Sequence, residues 1–223
     1  MRTDIQMMNV LFHAALRRDL GRLTEVLFRG GSSAPEPRAA LVEHLNLVLD
    51  LLHHHHTSED AGLWPLVRRR AAHLTSQVDA MEAEHARIAP AIAAVRTAGA
   101  GYSRDGGPES RNELLQAVLG LRGTLLPHLD HEENEVMPQV MKALTDKDWS
   151  ALARQEMRSG SSLSTAGLTL VWMADGLTGQ RRVQFDRQMP ALFRWIAAKQ
   201  YGPAYRRRAA VAFADDRRAS TPP

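Results

Sequence analysis

Two stretches of the sequence share a spacing of histidine and glutamate that suits metal binding. The first is HHTSEDAGLWP, which begins at His55, and the second is HLDHEENEVMP, which begins at His128. Each reads histidine, three residues, glutamate, a further acid, four residues and proline, so the two align without a gap. Residues four apart lie on one face of an α-helix, about 5–6 Å apart at Cβ. The imidazole and carboxylate of each stretch are therefore able to converge on one metal ion, and the carboxylate is able to bridge two.

The apolar pattern of each helix indicates which of these side chains face the interior. The pairs His56/Asp60 and His131/Glu135 have the same spacing, so spacing alone does not decide. The apolar stripes that precede the two motifs continue to positions 55 and 59 and to positions 128 and 132. The side chains predicted to face the interior are therefore His55, Glu59, His128 and Glu132. Those predicted to lie beside them, off this face, are His53, His54, His56 and His131.

Two more histidines occupy apolar positions of other predicted helices. His13 lies in the stripe of the first helix and His85 in that of the third. Each is about 10 residues, or about 15 Å, from the start of its helix. In an antiparallel arrangement this depth matches that of the two motifs, so we expect all six groups at one level. Buried polar groups are costly unless they are paired or bind a metal.

Breaker residues divide the first 144 residues into four predicted helices. These run from about Thr3 to Phe28, from about Arg38 into the sixties, from about Thr75 to just before Gly99, and from about Glu109 to Leu144, with a kink at Pro127. This pattern favours an all-α, up-down-up-down four-helix bundle over residues 1–144. Residues 145–223 are predicted to add a helical segment with Trp149, Trp172 and Trp195 in its core and a disordered tail, ASTPP.

Charge is unevenly distributed along the chain. Residues 1–144 hold 15 Lys and Arg against 18 Asp and Glu, a formal charge of −3, and residues 145–223 hold the remaining 13 and 7, a charge of +6. The basic clusters are short and lack a DNA-reading motif, which argues against nucleic acid and leaves a protein partner for this segment open. The chain has no cysteine, no signal-peptide pattern at its start and no apolar run of roughly 18 residues. We therefore expect a cytoplasmic protein without a membrane partner.

Four histidines and two carboxylates on four helices suit a pair of metal ions with bridging carboxylates. A nitrogen and oxygen donor set without sulfur favours iron, with manganese second, over structural zinc, which takes four ligands in a closed tetrahedron. Two iron ions with open coordination positions would react with O2, peroxide or nitric oxide.

The sequence resembles the hemerythrin-like, or His-His-Glu cation-binding, family. The resemblance covers about residues 5–140 and rests on HAALRRDL, HHHHTSEDAGLWP, the EH of MEAEHARI, and HLDHEENEVMP. It implies a four-helix bundle that holds an oxo- or hydroxo-bridged di-iron centre. Position by position, it implies two bridging glutamates within the ligand set His13, His55, Glu59, His85, His128 and Glu132.

The chain departs from the oxygen-carrying members of this family in its third helix. Those members use five histidines, two of them four apart on that helix, whereas Met81 and Ala89 stand four before and four after His85. The candidates for the missing ligand are a solvent molecule, Glu82, Tyr201 and Tyr205. Fewer protein ligands leave the coordination more open, which favours peroxide turnover or oxidation over reversible O2 carriage.

The sequence thus predicts a non-haem di-iron protein that binds or reacts with O2, peroxide or nitric oxide, and it leaves open whether the protein is an enzyme. One alternative is a non-enzymatic sensor, in which iron or oxygen binding changes how the basic C-terminal segment meets a partner. A second is a ferritin-like ferroxidase. That class places glutamates on all four helices with two Glu-x-x-His motifs, and this chain offers only Glu82 with His85.

Overall fold

A computed structural model describes residues 2–32, 34–158 and 163–214, and the fold is all-helical. The α-helices are α1 Arg2–Phe28, α2 Pro35–Ser58, α3 Trp64–Arg70, α4 Thr75–Asp105, α5 Pro108–His131, α6 Met137–Ala143, α7 Asp146–Arg158, α8 Leu163–Ala174, α9 Gly179–Gln188, α10 Ala191–Gln200 and α11 Gly202–Ala212. The tail predicted to be disordered, residues 219–223, lies outside the described residues. Within the described ranges, every helix falls short of the length and apolar character that crossing a lipid bilayer requires.

Two of the long helical rods contain a π-helical turn at the same place in the sequence repeat. Glu59–Leu63 joins α2 to α3, and Glu132–Val136 joins α5 to α6. Pro65 and Pro138 each follow as the second residue of the next helix. Because proline has no N–H, it removes one regular helical hydrogen bond, and a π-turn is a way for the helix to continue past it. The second predicted helix therefore corresponds to α2, its π-turn and α3, and the fourth to α5, its π-turn and α6, and both continue through their motifs.

The third predicted helix is longer than the sequence pattern indicated. We expected it to stop before Gly99, but α4 continues through this glycine to Asp105. Gly99 is buried, and a Cβ there would lie 3.4 Å from Leu45 of α2, so its small size permits close helix packing. The helix ends where Gly106 adopts a φ of +68°, a left-handed conformation that glycine takes without steric cost.

The helices α1, α2, α4 and α5 pack on one another around a large apolar core. A smaller apolar cluster, which includes Trp64, Met81 and Val140, lies where α3 and α6 meet the start of α4. Along α2 and α3 the side chains change from the first cluster to the second between Leu52 and Leu63. The two metal-binding motifs fall at this change, so the candidate site is enclosed by apolar side chains on both sides.

The C-terminal helices extend the same core. Helix α11 lies against α2, and α8 and α9 lie against α1. Trp149 and Trp172 are buried, as predicted, but Trp195 is 56% exposed on α10, so the prediction that it anchors a core was wrong. Phe185 and Tyr205 belong to the same apolar cluster as the leucines of α1. A division of the chain into units 1–144 and 145–223 stays a prediction.

A buried carboxylate also ties the C-terminal helices to the first two. Asp19 of α1 accepts hydrogen bonds from Arg18 Nε, from His44 Nε2 of α2 and from Trp172 Nε1 of α8. Asp175 pairs with Arg22 of α1 at 2.8 Å. The Asp19–Trp172 and Arg22–Asp175 contacts each join residues that are 153 positions apart in the sequence.

Candidate metal centre

The structure brings the six predicted residues together. They come from α1, the last turns of α2 and α5, the middle of α4, and the first residue of each π-turn. Five of them are buried, and His55 keeps 15% of its side chain exposed. The structure gives the positions of their side-chain atoms, and their role as metal ligands stays a prediction.

His56 joins this cluster, so the prediction that it lies off the interior face was wrong. Its side chain is 6% exposed, and its ring stacks on that of His85 with centroids 4.1 Å apart and an interplanar angle of 12°. Consecutive residues of a helix point about 100° apart, so a narrow stripe accommodates only one of them. Here two groups of donors lie side by side, and His55 and His56 each reach one of them.

The donor atoms form two groups that are each compact enough to hold a metal ion. The first group is His56, His85 and His128, and the second is His13, His55 and Glu132. In each group the donor atoms all lie within 4.8 Å of one another. In the second group, the Nε2 atoms of His13 and His55 are 3.0 Å apart.

Both glutamates reach both groups, and Glu132 is itself a member of the second. Glu59 places Oε1 3.3 Å from His55 Nε2 and Oε2 3.7 Å from His85 Nε2. Glu132 Oε2 is 3.5 Å from His13 Nε2 and 3.8 Å from His128 Nε2. Each carboxylate therefore reaches a histidine of both groups, which is the position of a bridging ligand.

Several buried ligand atoms of the centre lack hydrogen-bond partners among the described residues. Five such atoms belong to it: His56 Nε2, Glu59 Oε2, His85 Nε2, His128 Nε2 and Glu132 Oε2. An unpaired buried donor or acceptor costs about 1–3 kcal/mol, and native structures contain few of them. Five in one place fit a bound cation, because a cation satisfies both imidazole lone pairs and carboxylate oxygens.

The second acid of each repeat holds a histidine that comes from another helix. Asp60 Oδ1 lies 2.7 Å from His85 Nδ1, and Glu133 Oε1 lies 2.8 Å from His13 Nδ1. Since an ionised carboxylate only accepts hydrogen bonds, Nδ1 carries the proton in these pairs and Nε2 keeps its lone pair. The arrangement is that of a carboxylate that orients a metal-binding imidazole.

A third carboxylate, that of Glu84 on α4, orients two histidines of α5 in the same way. Glu84 Oε2 lies 2.8 Å from His128 Nδ1, and its Oε1 lies 2.9 Å from His131 Nδ1. Asn9 of α1 adds a contact to a glutamate, since its side-chain amide donates to Glu132 Oε1 at 2.7 Å. That bond leaves Oε2 as the oxygen of Glu132 that faces the histidines.

Burial shifts the pKa of four side chains of the centre. Burial lowers the pKa of the His55 and His56 imidazoles, and the neighbouring histidines lower it further. Burial also lowers the pKa of His128. Burial raises the pKa of the Glu59 carboxyl, and the nearby charge of Glu132 raises it further. Neutral imidazoles are the form that binds a metal, and two close carboxylates in apolar surroundings are stabilised by a cation.

The other candidates for the missing ligand lie elsewhere. Glu82 accepts a hydrogen bond from Arg68 at 2.7 Å, and its side chain is 41% exposed. Tyr205 donates its hydroxyl to Asp175 at 3.0 Å, and Tyr201 packs against Gly167 of α8. Each of these three side chains makes its contacts outside the cluster. The histidine that the cluster contains beyond the predicted four is His56.

The comparison with known families agrees with the geometry. The profile of the Hemerythrin HHE cation binding domain matches residues 10–140, which is more than half of the chain. The chain therefore belongs to the hemerythrin HHE cation-binding family, and the resemblance read from the motifs is confirmed. Neither the curated proteins nor the solved structures gave a match to the chain.

Sequence reasoning missed His56 although the repeat contains a signal for it. Alignment of the two motifs places His56 opposite Leu129, an apolar residue that is buried in the structure. An interior position for Leu129 predicts an interior position for His56. The repeat also contained a signal for Asp60 and Glu133, because an acidic residue follows the glutamate in both motifs.

Proposed function

We propose that this protein is a non-haem di-iron protein that binds or reacts with O2, peroxide or nitric oxide. The observation that carries the proposal is a cluster of five histidines and two glutamates in which five buried ligand atoms have no hydrogen-bond partner in the described part of the chain. The helix order and packing support the finer proposal that α1, α2, α4 and α5 form an up-down-up-down four-helix bundle around it.

The two groups of donors would each hold one ion. His56, His85 and His128 would bind the first, His13 and His55 the second, and Glu59 and Glu132 would serve both. The donor atoms are nitrogen and oxygen without sulfur, a set that suits iron or manganese, and iron with open coordination positions would react with O2, peroxide or nitric oxide. The second group has one histidine fewer than the first, so it is the side on which a small ligand would bind.

Iron in these positions would supply the redox chemistry, and the residues of the chain do the rest. Asp60, Glu84 and Glu133 keep three Nε2 atoms aimed into the cluster. Burial lowers the pKa of His55, His56 and His128 and excludes bulk water, which strengthens electrostatic interactions inside the site. Asn9 holds one oxygen of Glu132 and so restricts how that carboxylate rotates.

Metal analysis of the purified chain tests the proposal. Elemental analysis after iron loading should give about two irons per chain, with charge-transfer absorption in the near ultraviolet. Removal of the metal with a chelator should lower the midpoint of thermal unfolding, because a ligand that binds only the folded state stabilises it. A folded, soluble preparation that takes up no metal, or that takes up only zinc with a closed set of ligands, would overturn the proposal.

A sensor is the second candidate function, and a chain of ring contacts favours it. The ring of Phe12 lies 4.6 Å from that of His55 and 5.1 Å from that of Trp172. Trp172 belongs to α8, so a change at His55 has a short route to the C-terminal helices. Hydrogen exchange in α7–α11 should then differ between the reduced protein under argon and the same protein with O2. Identical exchange in both states would argue against a sensor.

The ferritin-like alternative loses its main support. That reading required Glu82 and His85 to act together as a Glu-x-x-His pair, but Glu82 is paired with Arg68 and Asp79 binds the same guanidinium at 2.6 Å. The balance of five histidines to two glutamates in the cluster is also unlike a site built chiefly from carboxylates.

A further inference from the structure

Helix α10 exposes an unusual number of large apolar side chains. Of the eight large apolar side chains that are exposed in the described part of the chain, four lie on this ten-residue helix: Leu192, Phe193, Trp195 and Ile196. Their exposed fractions lie between 41% and 66%. Single exposed apolar residues are common on protein surfaces, but a contiguous apolar patch marks an interaction site. We refer to these four side chains as the α10 surface.

Three of the four side chains form a stripe with helical spacing. Leu192, Trp195 and Ile196, followed by Lys199, occupy positions i, i+3, i+4 and i+7. Because successive residues of a helix point about 100° apart, these four residues fall on one face of α10. Ala197 lies on the opposite face and is buried in the core, where α10 packs against α8 and α11. The helix therefore has one contact face inside the fold and a second, apolar face that points outwards.

The helices around the α10 surface are strongly basic. Residues 179–212 contain eight Arg and Lys and one acidic residue, a formal charge of +7. The one acidic residue, Asp186, is already paired with Arg182 and Arg194. Lys199 lies beside the stripe, with its Nζ atom 4.7 Å from the centroid of the Trp195 ring. A surface complementary to this one is therefore apolar along one line and acidic next to it.

The spacing and the charge favour a helix of another protein over two other occupants. A second copy of the chain would bring two segments of charge +7 together, which opposes a symmetric contact. A helix that lies on a bilayer keeps its Lys and Arg on the face opposite its apolar one, whereas that face of α10 packs into the fold. Anchors at i, i+3, i+4 and i+7 are the pattern by which one helix packs on another.

We propose that the α10 surface binds an acidic amphipathic helix of a partner protein. Leu192, Trp195 and Ile196 pack against the apolar stripe of that helix, and Lys199 pairs with a carboxylate beside it. The proposal goes beyond the proposed function, because the α10 surface contributes no residue to the metal centre and its binding requires no metal.

Fluorescence anisotropy of a labelled synthetic peptide tests the proposal on the full chain. The probe has about 20 residues, which is long enough for a helix, with leucine at the i, i+3, i+4 and i+7 positions and glutamate and alanine elsewhere. The matched peptide carries lysine in place of each glutamate. The acidic peptide should bind saturably and more weakly as salt is added, because salt screens exposed charges. The lysine peptide should not bind.

Two sets of variants locate the binding site. The double variant Leu192→Ser, Trp195→Ser should weaken binding of the acidic peptide by at least about 10-fold, since it removes the two most exposed apolar side chains of the surface. Phe28→Ser is its control, because Phe28 is exposed on α1, outside the surface. Lys199→Glu should weaken binding by about 3- to 10-fold, and Lys147→Glu, the same charge change at an exposed residue of α7, should have little effect.

The outcomes that would overturn the proposal are distinct. Absence of saturable binding of the acidic peptide, or binding that the double variant retains, would remove the partner helix. Self-association of the wild type in sedimentation velocity that the double variant loses would assign the α10 surface to a second copy of the chain. Cosedimentation with vesicles of phosphatidylserine and phosphatidylcholine, lost in the double variant and not accompanied by peptide binding, would assign it to a membrane.

Discussion

Replacement of Asp19 by asparagine measures how much stability depends on one buried carboxylate. Asp19 is fully buried, and its oxygens accept hydrogen bonds from Arg18 at 2.7 Å, from His44 at 2.8 Å and from Trp172 at 2.7 Å. Asparagine keeps the shape, but it offers one acceptor oxygen in place of two and adds an NH2 group. That NH2 group faces a donor in either orientation, so at least one of the three bonds is lost.

The expected loss follows from these contacts. Removal of one member of a buried charged pair costs about 3–5 kcal/mol, and asparagine retains part of the hydrogen bonding, so we expect Asp19→Asn to lower the free energy of unfolding by about 3 kcal/mol. In a chain of this size each kcal/mol lowers Tm by about 2–4 °C, which gives a decrease of about 6–12 °C at neutral pH. Circular dichroism during thermal unfolding measures it.

Asp50→Asn is the matched control. The side chain of Asp50 is 67% exposed and pairs with Arg96 at 2.6 Å on the surface. A surface ion pair contributes about 0–1 kcal/mol, so Tm should change little. Equal values of Tm for Asp19→Asn and Asp50→Asn would refute the argument that burial makes the Asp19 contacts stabilising.

The stability difference between wild type and Asp19→Asn should also depend on pH. Burial raises the pKa of Asp19, but hydrogen bonds and charges from His44 and Arg18 outweigh burial and hold the pKa well below its usual range. A carboxylate with a depressed folded pKa stabilises the fold above its unfolded pKa and loses this contribution as the pH falls towards the folded value. The difference between wild type and Asp19→Asn should therefore be full above about pH 5 and shrink below about pH 4 in urea unfolding. A difference that stays constant on acidification would contradict the assignment.

Three further predictions concern the metal centre and the C-terminal helices. His56→Ala should lower the metal content of the loaded protein by about one ion per chain in elemental analysis, and His53→Ala, exposed in the same histidine run, should not. Glu84→Gln should weaken metal binding by about 10- to 100-fold in a chelator competition, with Glu82→Gln as the control, because the amide carries no charge and its NH2 group faces the Nδ1–H of His128 or His131 in either orientation. Trp195→Ser should change the free energy of unfolding by less than about 0.5 kcal/mol in urea, because the side chain is exposed.

Most of the side chains of the centre could be predicted from the sequence repeat and from the apolar stripes of the helices. Spacing and helical periodicity are local properties, so they placed His55, Glu59, His128 and Glu132 on interior faces from the sequence alone. Depth along each helix then brought His13 to the same level. These inferences succeed because a helix rises by a constant amount per residue, which makes position in sequence equivalent to position in space.

Other features depend on contacts that no local pattern encodes. The exposure of Trp195 could not be predicted, because a large aromatic residue favours a buried position in any sequence context and only the tertiary fold decides whether it is covered. Two partners of Asp19, His44 and Trp172, lie 25 and 153 residues away, so their contacts with it depend on the tertiary fold. The end of α4 at Asp105 was missed because Gly99 serves helix packing there, and a glycine in a sequence does not indicate which role it has.

The two π-turns impose a constraint on chain length that substitution studies would not detect. Ala61 and Asn134 are exposed residues within these turns, and their side chains are free to vary as far as packing is concerned. Removal of either residue would convert the turn to a regular one and rotate the following helix by about 100°. Trp64 and its neighbours would then leave the interior. A deletion at either of these two surface sites would therefore disrupt the interior, although the side chain that is removed is exposed.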